Sequence, residues 1–356
     1  MSLEELRNQI DEIDQKLLEL LNLRAKCSVE VGQLKRDEQA QVYVPERERR
    51  IYEALLERNP GPLPNEAIRS IYREVISASV RLQNPIGVGF LGPEDTFSHM
   101  AALKIFGSMP DYHPLPSIPD VFTEVERGRL DYGVVPVETA LGGGVSDTLD
   151  RFTSSELHIV NELMLRIRQN LLSNFPLNEI TKVYSKAQPF VQCRQWLRAN
   201  LPHALLIETS STAKAAQTAV SDPGSAAIAS LLAAERNELK VLVEGIEDAA
   251  HNYTRFFVIA RHQARATGKD KTSIMCSIRD RAGALFDMLM PFSTHSINMT
   301  RIESRPSQRK AWDYVFFIDF EGHADDPVVA KALEEISQHC KELKILGSYP
   351  LGHLED

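Results

Sequence analysis

The chain has 356 residues, with 40 Lys plus Arg against 49 Asp plus Glu, and its formal charge of −9 argues against a nucleic-acid partner held by counterion release. With 43% hydrophobic and 25% charged residues the composition is that of a globular protein, long enough for two or three domains. No apolar run approaches the ~20 residues that a bilayer span needs, and the opening MSLEELRNQID lacks the basic-then-apolar order of a signal peptide, so no membrane association and a cytoplasmic location are expected. Cys27, Cys193, Cys276 and Cys340 lie far apart, form no CxxC and pair with no His at metal-ligand spacing; reduced thiols, no metal and no cofactor are expected.

From Leu3 to Leu34 apolar residues recur in steps of three and four, at Leu3, Leu6, Ile10, Ile13, Leu17, Leu20, Cys27, Val31 and Leu34, which predicts one long helix. At 1.5 Å per residue its ~34 residues span about 50 Å, more than a small domain can cover, so another copy of the chain is expected along it. Pro45 opens a second helix, PERERRIYEALLERN, which the Asn59-Pro60-Gly61-Pro62 cluster ends. A third runs from Asn65 to Gln83 with Ile68, Tyr72, Val75 and Ile76 on one side, so residues 1–84 read as an all-α helical domain.

After Pro85 short apolar runs alternate with helical stretches: IGVGFLG then TFSHMAALKIFG, DYGVVPVE then VSDTLDRF, KVYS then PFVQCRQWL, ALLIE then TAKAAQTAV, and SAAIAS then LLAAERN. This order predicts an α/β domain over 85–262 with mainly parallel sheet. The polar tract ARHQARATGKDK reads as a linker. Residues 271–356 then give strand TSIMCSI, helix GALFDMLMPF, strands INMTRIES and WDYVFFIDF, helix PVVAKALEEISQHC and strand KILGSY, an α+β ferredoxin-like order.

Several polar residues fall where the helical pattern calls for apolar ones. Arg24 lies on the stripe of the first helix, and Lys35, 11 residues on, returns to within about 20° of the same face ~16 Å further along. Ser79 and Gln83 continue the stripe of the third helix at i and i+4. A charge on such a face must be paired or meet a ligand. Two cations and two neutral hydrogen-bonding groups aimed into one helical core point to a pocket for a small anion.

LRNQIDEIDQKLLELLNLRAKCSVEVGQLK, followed by PERE and SVRLQ, resembles the all-helical chorismate mutases over essentially all of residues 1–84. Arg7, Arg24, Lys35, Arg47, Glu48, Ser79 and Gln83 fall at that family's ligand-contact positions, whereas Val44 stands where many members have an acidic residue. The resemblance implies rearrangement of chorismate to prephenate, a pericyclic shift that moves no proton and needs positioning and charge stabilisation. Arg24 and a second arginine would clamp the carboxylates, Lys35 and Gln83 would donate to the breaking ether oxygen, and Glu48 would accept from the ring hydroxyl. Arg7, ~25 Å from Arg24 along the helix, cannot reach the same pocket and would serve the partner's site in an interlocked dimer.

GPEDTFSHMAA, GVVPVETALGGGVSDTLD, YSKAQPFVQC, SSTAKAA, SAAIAS and NYTRF, in that order, resemble the prephenate dehydratase family across residues 86–261. The resemblance implies a two-lobed α/β domain with substrate in the cleft, Thr254 donating to the departing ring oxygen, and Ser185 and Gln192 as polar cleft residues. Arg255 reads as a carboxylate partner or an exposed strand arginine, and Gly142 to Gly144 as an anion cradle or a plain loop. The motifs depart at Glu138-Thr139, where the family has Glu-Asn, at Asp95, where it has Gly, and at Ser185-Lys186, where it has Ser-His.

Gly283-Ala284-Leu285 and INMTRIESRP, ending in Glu303-Ser304-Arg305-Pro306, resemble the ACT domain, an amino-acid-sensing module. That resemblance implies phenylalanine bound at a dimer contact, with Asn298 as a candidate for its ammonium. Together the three resemblances imply a multidomain, dimeric enzyme with both activities under phenylalanine feedback. The alternative is a mutase fused to a dehydratase-like region that binds ligand without turning it over.

Overall fold

Ser2 starts the first helix with a reciprocal cap: its hydroxyl accepts from the Glu5 N–H while the Glu5 carboxylate accepts from the Ser2 N–H. Helix α1 (Leu3–Asp37) runs for 35 residues with Glu4 and Glu5 at its start and Lys35 and Arg36 at its end, each complementing the helix dipole. Helix α2 (Pro45–Glu57) begins on its proline, and α3 (Asn65–Gln83) packs against both α1 and α2. The computed structural model describes residues 1–38, 40–249, 251–278, 281–306, 314–352 and 354–355. They form two compact units, 1–87 with 105–111, and 88–104 with 112–356.

In the helical unit most of the α1 stripe is uncovered; Ile10 is 56% and Leu20 62% exposed. Among the described residues only Gly32 of α1 is buried, and a Cβ there would lie 2.7 Å from the Gln83 Cα, so the missing side chain is what lets α1 and α3 approach. Residues 105–111 join this unit: the Ser108 N–H and hydroxyl donate to Glu74, Met109 N–H donates to Ser77, and Arg81 pairs with Asp111 at 2.6 Å.

Strand β1 (Gly87–Leu91) opens the α/β region, followed by α4 (Phe97–Phe106), β2 (Asp111–Leu115), α5 (Ile118–Glu126), β3 (Tyr132–Thr139), β4 (Gly143–Gly144), α6 (Ser146–Phe152) and β5 (His158–Arg166). A second lobe is built from β6 (Asn170–Leu172), β7 (Lys182–Ser185), α7 (Ala187–Gln192), α8 (Arg194–Asn200), β8 (Leu205–Glu208), α9 (Thr212–Ser221), β9 (Ser225–Ala229), α10 (Leu231–Arg236) and β10 (Val241–Val243), after which β11 (Tyr253–Ala260) returns to the first. The C-terminal module comprises β12 (Asp270–Ile278), α11 (Ala284–Thr294), β13 (Met299–Pro306), β14 (Tyr314–Glu321), α12 (Pro327–His339) and β15 (Cys340–Pro350), and a last strand is β16 (Leu354–Glu355).

Among the described residues the first sheet has the order β16-β5-β11-β3-β1-β2 with β4 on β3, and the second β10-β6-β9-β7-β8. Both are mixed, not mainly parallel as expected. β11 comes back from the other lobe and inserts between β3 and β5, antiparallel to each. In the second lobe β6 runs antiparallel to β9, while β7 is parallel to β8 and β9. The C-terminal module has the expected βαββαβ order, its sheet running β13-β14-β12-β15; Trp312 and Asp313, read as strand, lie outside the described residues.

This module is not a satellite. Phe152 and Phe257 of the first lobe share one hydrophobic cluster with Met275, Phe317, Leu346 and Tyr349 of the module. The polar linker is tied down through Arg261, which donates to the carbonyls of Val125 and Leu130 at 2.5 and 2.9 Å. Strand β16, too short to be read from the sequence, pairs parallel to β5 at the edge of the first sheet.

Candidate active sites

In the helical unit, Arg24 of α1 reaches across to α3, where its Nη1 donates to the Ser79 hydroxyl and, at 3.4 Å, to the Val75 carbonyl. Its Nε and Nη2 make no bond among the described residues. One helical gap further on, Lys35 Nζ donates to the Val42 carbonyl at 2.9 Å, and burial holds its ammonium below the ordinary lysine range despite Glu46 and Glu48 nearby. Burial also raises the half-buried Glu48 to about 8 against the pull of Lys35, so near neutral pH its carboxyl carries a proton and offers a donor as well as the expected acceptor.

Gln83 gives its backbone carbonyl to Arg36 at 2.7 Å, while its side-chain Oε1 and the Oε2 of Glu46 are buried without hydrogen-bond partners. Buried acceptors without partners are costly unless something else satisfies them, and that of Glu46 lies near the Lys35 ammonium. The structure thus sets Arg24 on Ser79, Lys35 near Glu46 and Glu48, and Gln83 against Gly32, three residues before Lys35 on α1. Arg47 is exposed on α2, and Arg7 is exposed 28 residues before Lys35, ~42 Å along the helix. Val44 occupies the α2 N-cap and supplies no side-chain bond there, so the family's acidic residue at that position would also have capped the helix.

In the two-lobed region the register of β3 and β11 sets Thr139 directly opposite Thr254, with Glu138 opposite Arg255 in the next pair. Thr254 is buried; Thr139 is half-buried and its Oγ1 accepts from the Gly142 N–H at 3.0 Å. Gly143 and Gly144 fold back as a ladder on Glu138 and Thr139. The glycine run is therefore an ordered hairpin whose first amide is spent on Thr139, neither a free anion cradle nor a plain loop. On the second lobe the buried Ser185 hydroxyl donates to the Ile228 carbonyl at 2.8 Å, and the Gln192 Oε1 accepts from Gln169 at 2.9 Å. No bond joins the threonine pair to Ser185 or Gln192 among the described residues. Gln169, 2% exposed with its own Oε1 unpartnered, went unnoticed in the sequence.

Arg255 is neither of the things expected of it. Its guanidinium is buried, donating to Glu162 at 2.7 Å, to Asp319 at 2.5 Å and to the Tyr349 hydroxyl at 3.0 Å, with its carbon 4.7 Å from the Phe257 ring centroid. Every face of the fork is taken, leaving none for a substrate carboxylate. Glu138 turns the same way, its Oε2 lying 3.3 Å from Arg301 Nε and 3.8 Å from Arg255 Nη1.

In the C-terminal module Gly283 caps α11 at φ +78°, a left-handed conformation that favours glycine, with open space where a side chain would stand. Leu285 is exposed on the first turn, and the Ala284 N–H donates to the Arg281 carbonyl. Asn298 donates its amide to Glu321 at 3.1 Å, which leaves its carbonyl oxygen. Along β13, Ser304 and Pro306 are exposed, whereas Glu303 pairs with Arg301, and Arg305 donates to Ser146 at 3.0 Å and pairs with Asp150 at 3.2 Å. Within one chain, then, Glu303 and Arg305 are engaged inward, and only the alternate residues of that motif face out.

Three family models match in succession: chorismate mutase type II over residues 6–84, prephenate dehydratase over 88–264 and ACT domain over 272–338. The chain is 47% identical over 359 residues to the bifunctional chorismate mutase/prephenate dehydratase of Aquifex aeolicus, with 99% of each covered, and 44% identical to that of Stutzerimonas stutzeri over 98% of this chain and 97% of the relative. The chain belongs to the bifunctional chorismate mutase/prephenate dehydratase family. Among solved structures it is similar to the prephenate dehydratase from Arthrobacter aurescens in complex with L-Phe, with a TM-score of 0.70 and 33% identity over 75% of this chain and 90% of that one.

Each departure from the dehydratase motifs has a definite setting. Asp95 sits at φ +67°, the conformation for which the family's glycine is suited; its carbonyl accepts from Ser230 at 2.9 Å and its carboxylate lies 3.3 Å from Arg236. Lys186 is exposed at the N-cap of α7, one residue beyond Ser185. Thr139 keeps a polar group on the threonine pair, but lacks the reach and second donor of the family's asparagine.

Proposed function

We propose that the chain catalyses two consecutive reactions of phenylalanine biosynthesis, isomerising chorismate to prephenate in residues 1–84 and converting prephenate to phenylpyruvate, CO₂ and water in residues 85–262, under feedback by phenylalanine at residues 271–356. The observation that carries this reading is end-to-end membership in a family whose relatives bear both names, joined to a helical site with the required chemistry.

Arg24 has free guanidinium edges for a carboxylate. Lys35 stands partly desolvated, where a cation stabilises charge developing on the ether oxygen most strongly, and Gln83 donates beside it after a half-turn of its amide. Protonated Glu48 bonds the ring hydroxyl as donor or acceptor. Arg7 completes the partner's site, and the uncovered α1 stripe, with Ile10 and Leu20 more than half exposed, is the surface on which a second copy packs. In the dehydratase reaction one substrate carboxylate leaves as CO₂ while the ring C–O bond breaks. The Thr254 hydroxyl hydrogen-bonds the departing oxygen, and a proton delivered with solvent completes the water. Neither step calls for a metal or cofactor. The substrates are small anions, and the assignment is to a cytoplasmic homodimer or higher oligomer.

The test is to supply purified protein with chorismate and, separately, with prephenate, and to follow phenylpyruvate. Turnover of chorismate without phenylpyruvate from prephenate would replace the second activity by ligand binding alone.

A further inference from the structure

Thr139–Thr254 and Glu138–Arg255 are successive cross-strand pairs, so the threonines face one side of the first sheet and the charged pair the other. Directly after the charged pair the ladder is bulged: Phe256 pairs with Pro136, and Val137 is left over. A bulge disrupts ladder bonding locally and re-aims neighbouring side chains. What holds the charged pair at that point comes from the C-terminal module. Asp319 of β14 takes Arg255 on one oxygen and the Ser273 hydroxyl on the other, both at 2.5 Å. Arg301 of β13 lies 3.3 Å from Glu138 and also pairs with Glu303, while Lys271 of β12 takes the second oxygen of Glu162 at 3.1 Å. The side chains of Arg255, Glu162, Asp319, Lys271 and Arg301 are all less than one-tenth exposed.

We propose that Asp319 and Arg301 are positioning residues for the dehydratase reaction: by gripping Arg255 and Glu138 from behind the sheet they set the Thr139–Thr254 pair, and they deliver to it any movement of β13 that phenylalanine causes. The inference rests on the reading that Thr254 meets substrate and that phenylalanine binds beside β13. It gives the inward half of β13 a task separate from ligand contact. Arg301 and Glu303 hold the pair from behind, and Arg305 holds the α6 helix through Ser146 and Asp150.

The experiment compares full-length wild type with Asp319→Asn, Arg301→Gln and Arg255→Lys. Asp319→Asn and Arg301→Gln should lower kcat on prephenate about 10- to 100-fold, the scale of a sub-ångström misplacement, with KM and mutase turnover within about threefold of wild type. By calorimetry phenylalanine should still bind these variants with near wild-type affinity, yet inhibit what activity remains less completely. Arg255→Lys keeps the charge but cannot fork between Glu162 and Asp319, so it should fall between wild type and the other two. Wild-type kcat and inhibition in the variants would overturn the proposal. So would a kcat loss that tracks lost thermal stability and lost phenylalanine affinity, the signature of a purely structural cluster. Should Asp319→Asn prove insoluble, Arg301→Gln carries the same outcomes. Absence of phenylpyruvate with wild type would defeat the dehydratase reading and this inference with it, whereas an active wild type with indifferent variants defeats the inference alone.

Discussion

Gly32→Ala separates stability from catalysis in the helical unit. The added Cβ would stand 2.7 Å from the Gln83 Cα and 3.0 Å from its Cβ, whereas carbons rest at about 3.5–4.0 Å, so α1 and α3 must part by roughly 1 Å. Overpacking of that kind costs about 1–3 kcal/mol, and replacing a mid-helix glycine by alanine returns ~1 kcal/mol, so the net loss of stability should be at most about 2 kcal/mol. The displacement falls on Gln83 and, one turn on, on Lys35, and a 1 Å error in a positioned group costs about 100-fold in rate. The expected result is chorismate turnover reduced about 100-fold, a loss of stability of at most about 2 kcal/mol, and full conversion of prephenate to phenylpyruvate as the internal control. Mutase activity within about threefold of wild type would show that the α1–α3 spacing does not set the site.

Four further outcomes follow from named residues. Glu48 binds its proton more tightly folded, at about 8, than in the unfolded chain, so its contribution to stability is fully present below the usual carboxylate range and is lost as pH rises through about 8. Urea denaturation across that window should fall by at most ~1.4 kcal/mol per pH unit, and Glu48→Gln should flatten the slope; an unchanged slope would refute the raised carboxyl. Thr254→Ala should abolish phenylpyruvate formation while sparing the mutase, and Thr139→Asn should raise dehydratase turnover; retained activity in the alanine variant would remove Thr254 from the reaction. Mixed dimers of Arg7→Ala and Lys35→Ala chains should regain about half the wild-type mutase activity that neither has alone, and no recovery despite proven subunit exchange would rule out a shared site. Gly283→Val, forced to hold φ +78° with a β-branched residue at a cost of about 1–3 kcal/mol, should weaken phenylalanine binding by calorimetry, and undiminished affinity would place the effector elsewhere.

The helices are legible because their apolar steps are local, and Arg24, Lys35, Ser79 and Gln83 stand out as polar residues on faces that are otherwise apolar. Gly32 lies off the α1 stripe, between Val31 and Leu34, and a glycine in a helix reads as a small defect until the facing helix is known. Arg255 illustrates the harder limit. Its partners lie 64 residues away at Asp319 and 94 away at Tyr349, and no local period links them. The mixed character of the first sheet escaped for the same reason, since β11 reads identically whether it joins its neighbours parallel or antiparallel. Gln169 carries no sequence signal, because a lone glutamine between strands is unremarkable until its amide is found bonded to Gln192.

The hydrophobic cluster that joins Phe152 and Phe257 to Met275, Phe317, Leu346 and Tyr349 makes the sensor a structural wall of the enzyme rather than a detachable accessory. A chain cut at the polar linker would not shed a module cleanly. It would open the Phe257 side of the first sheet to water, strip β16 from β5 and strand the Arg255 and Glu162 charges without Asp319 and Lys271. A catalytic fragment made by truncation should therefore be poorly folded, because the cut exposes apolar side chains and breaks up a buried charge cluster. Lobes and module should melt together in one cooperative transition, and a variant less sensitive to phenylalanine should come from point substitution at the seam, with the wall left standing.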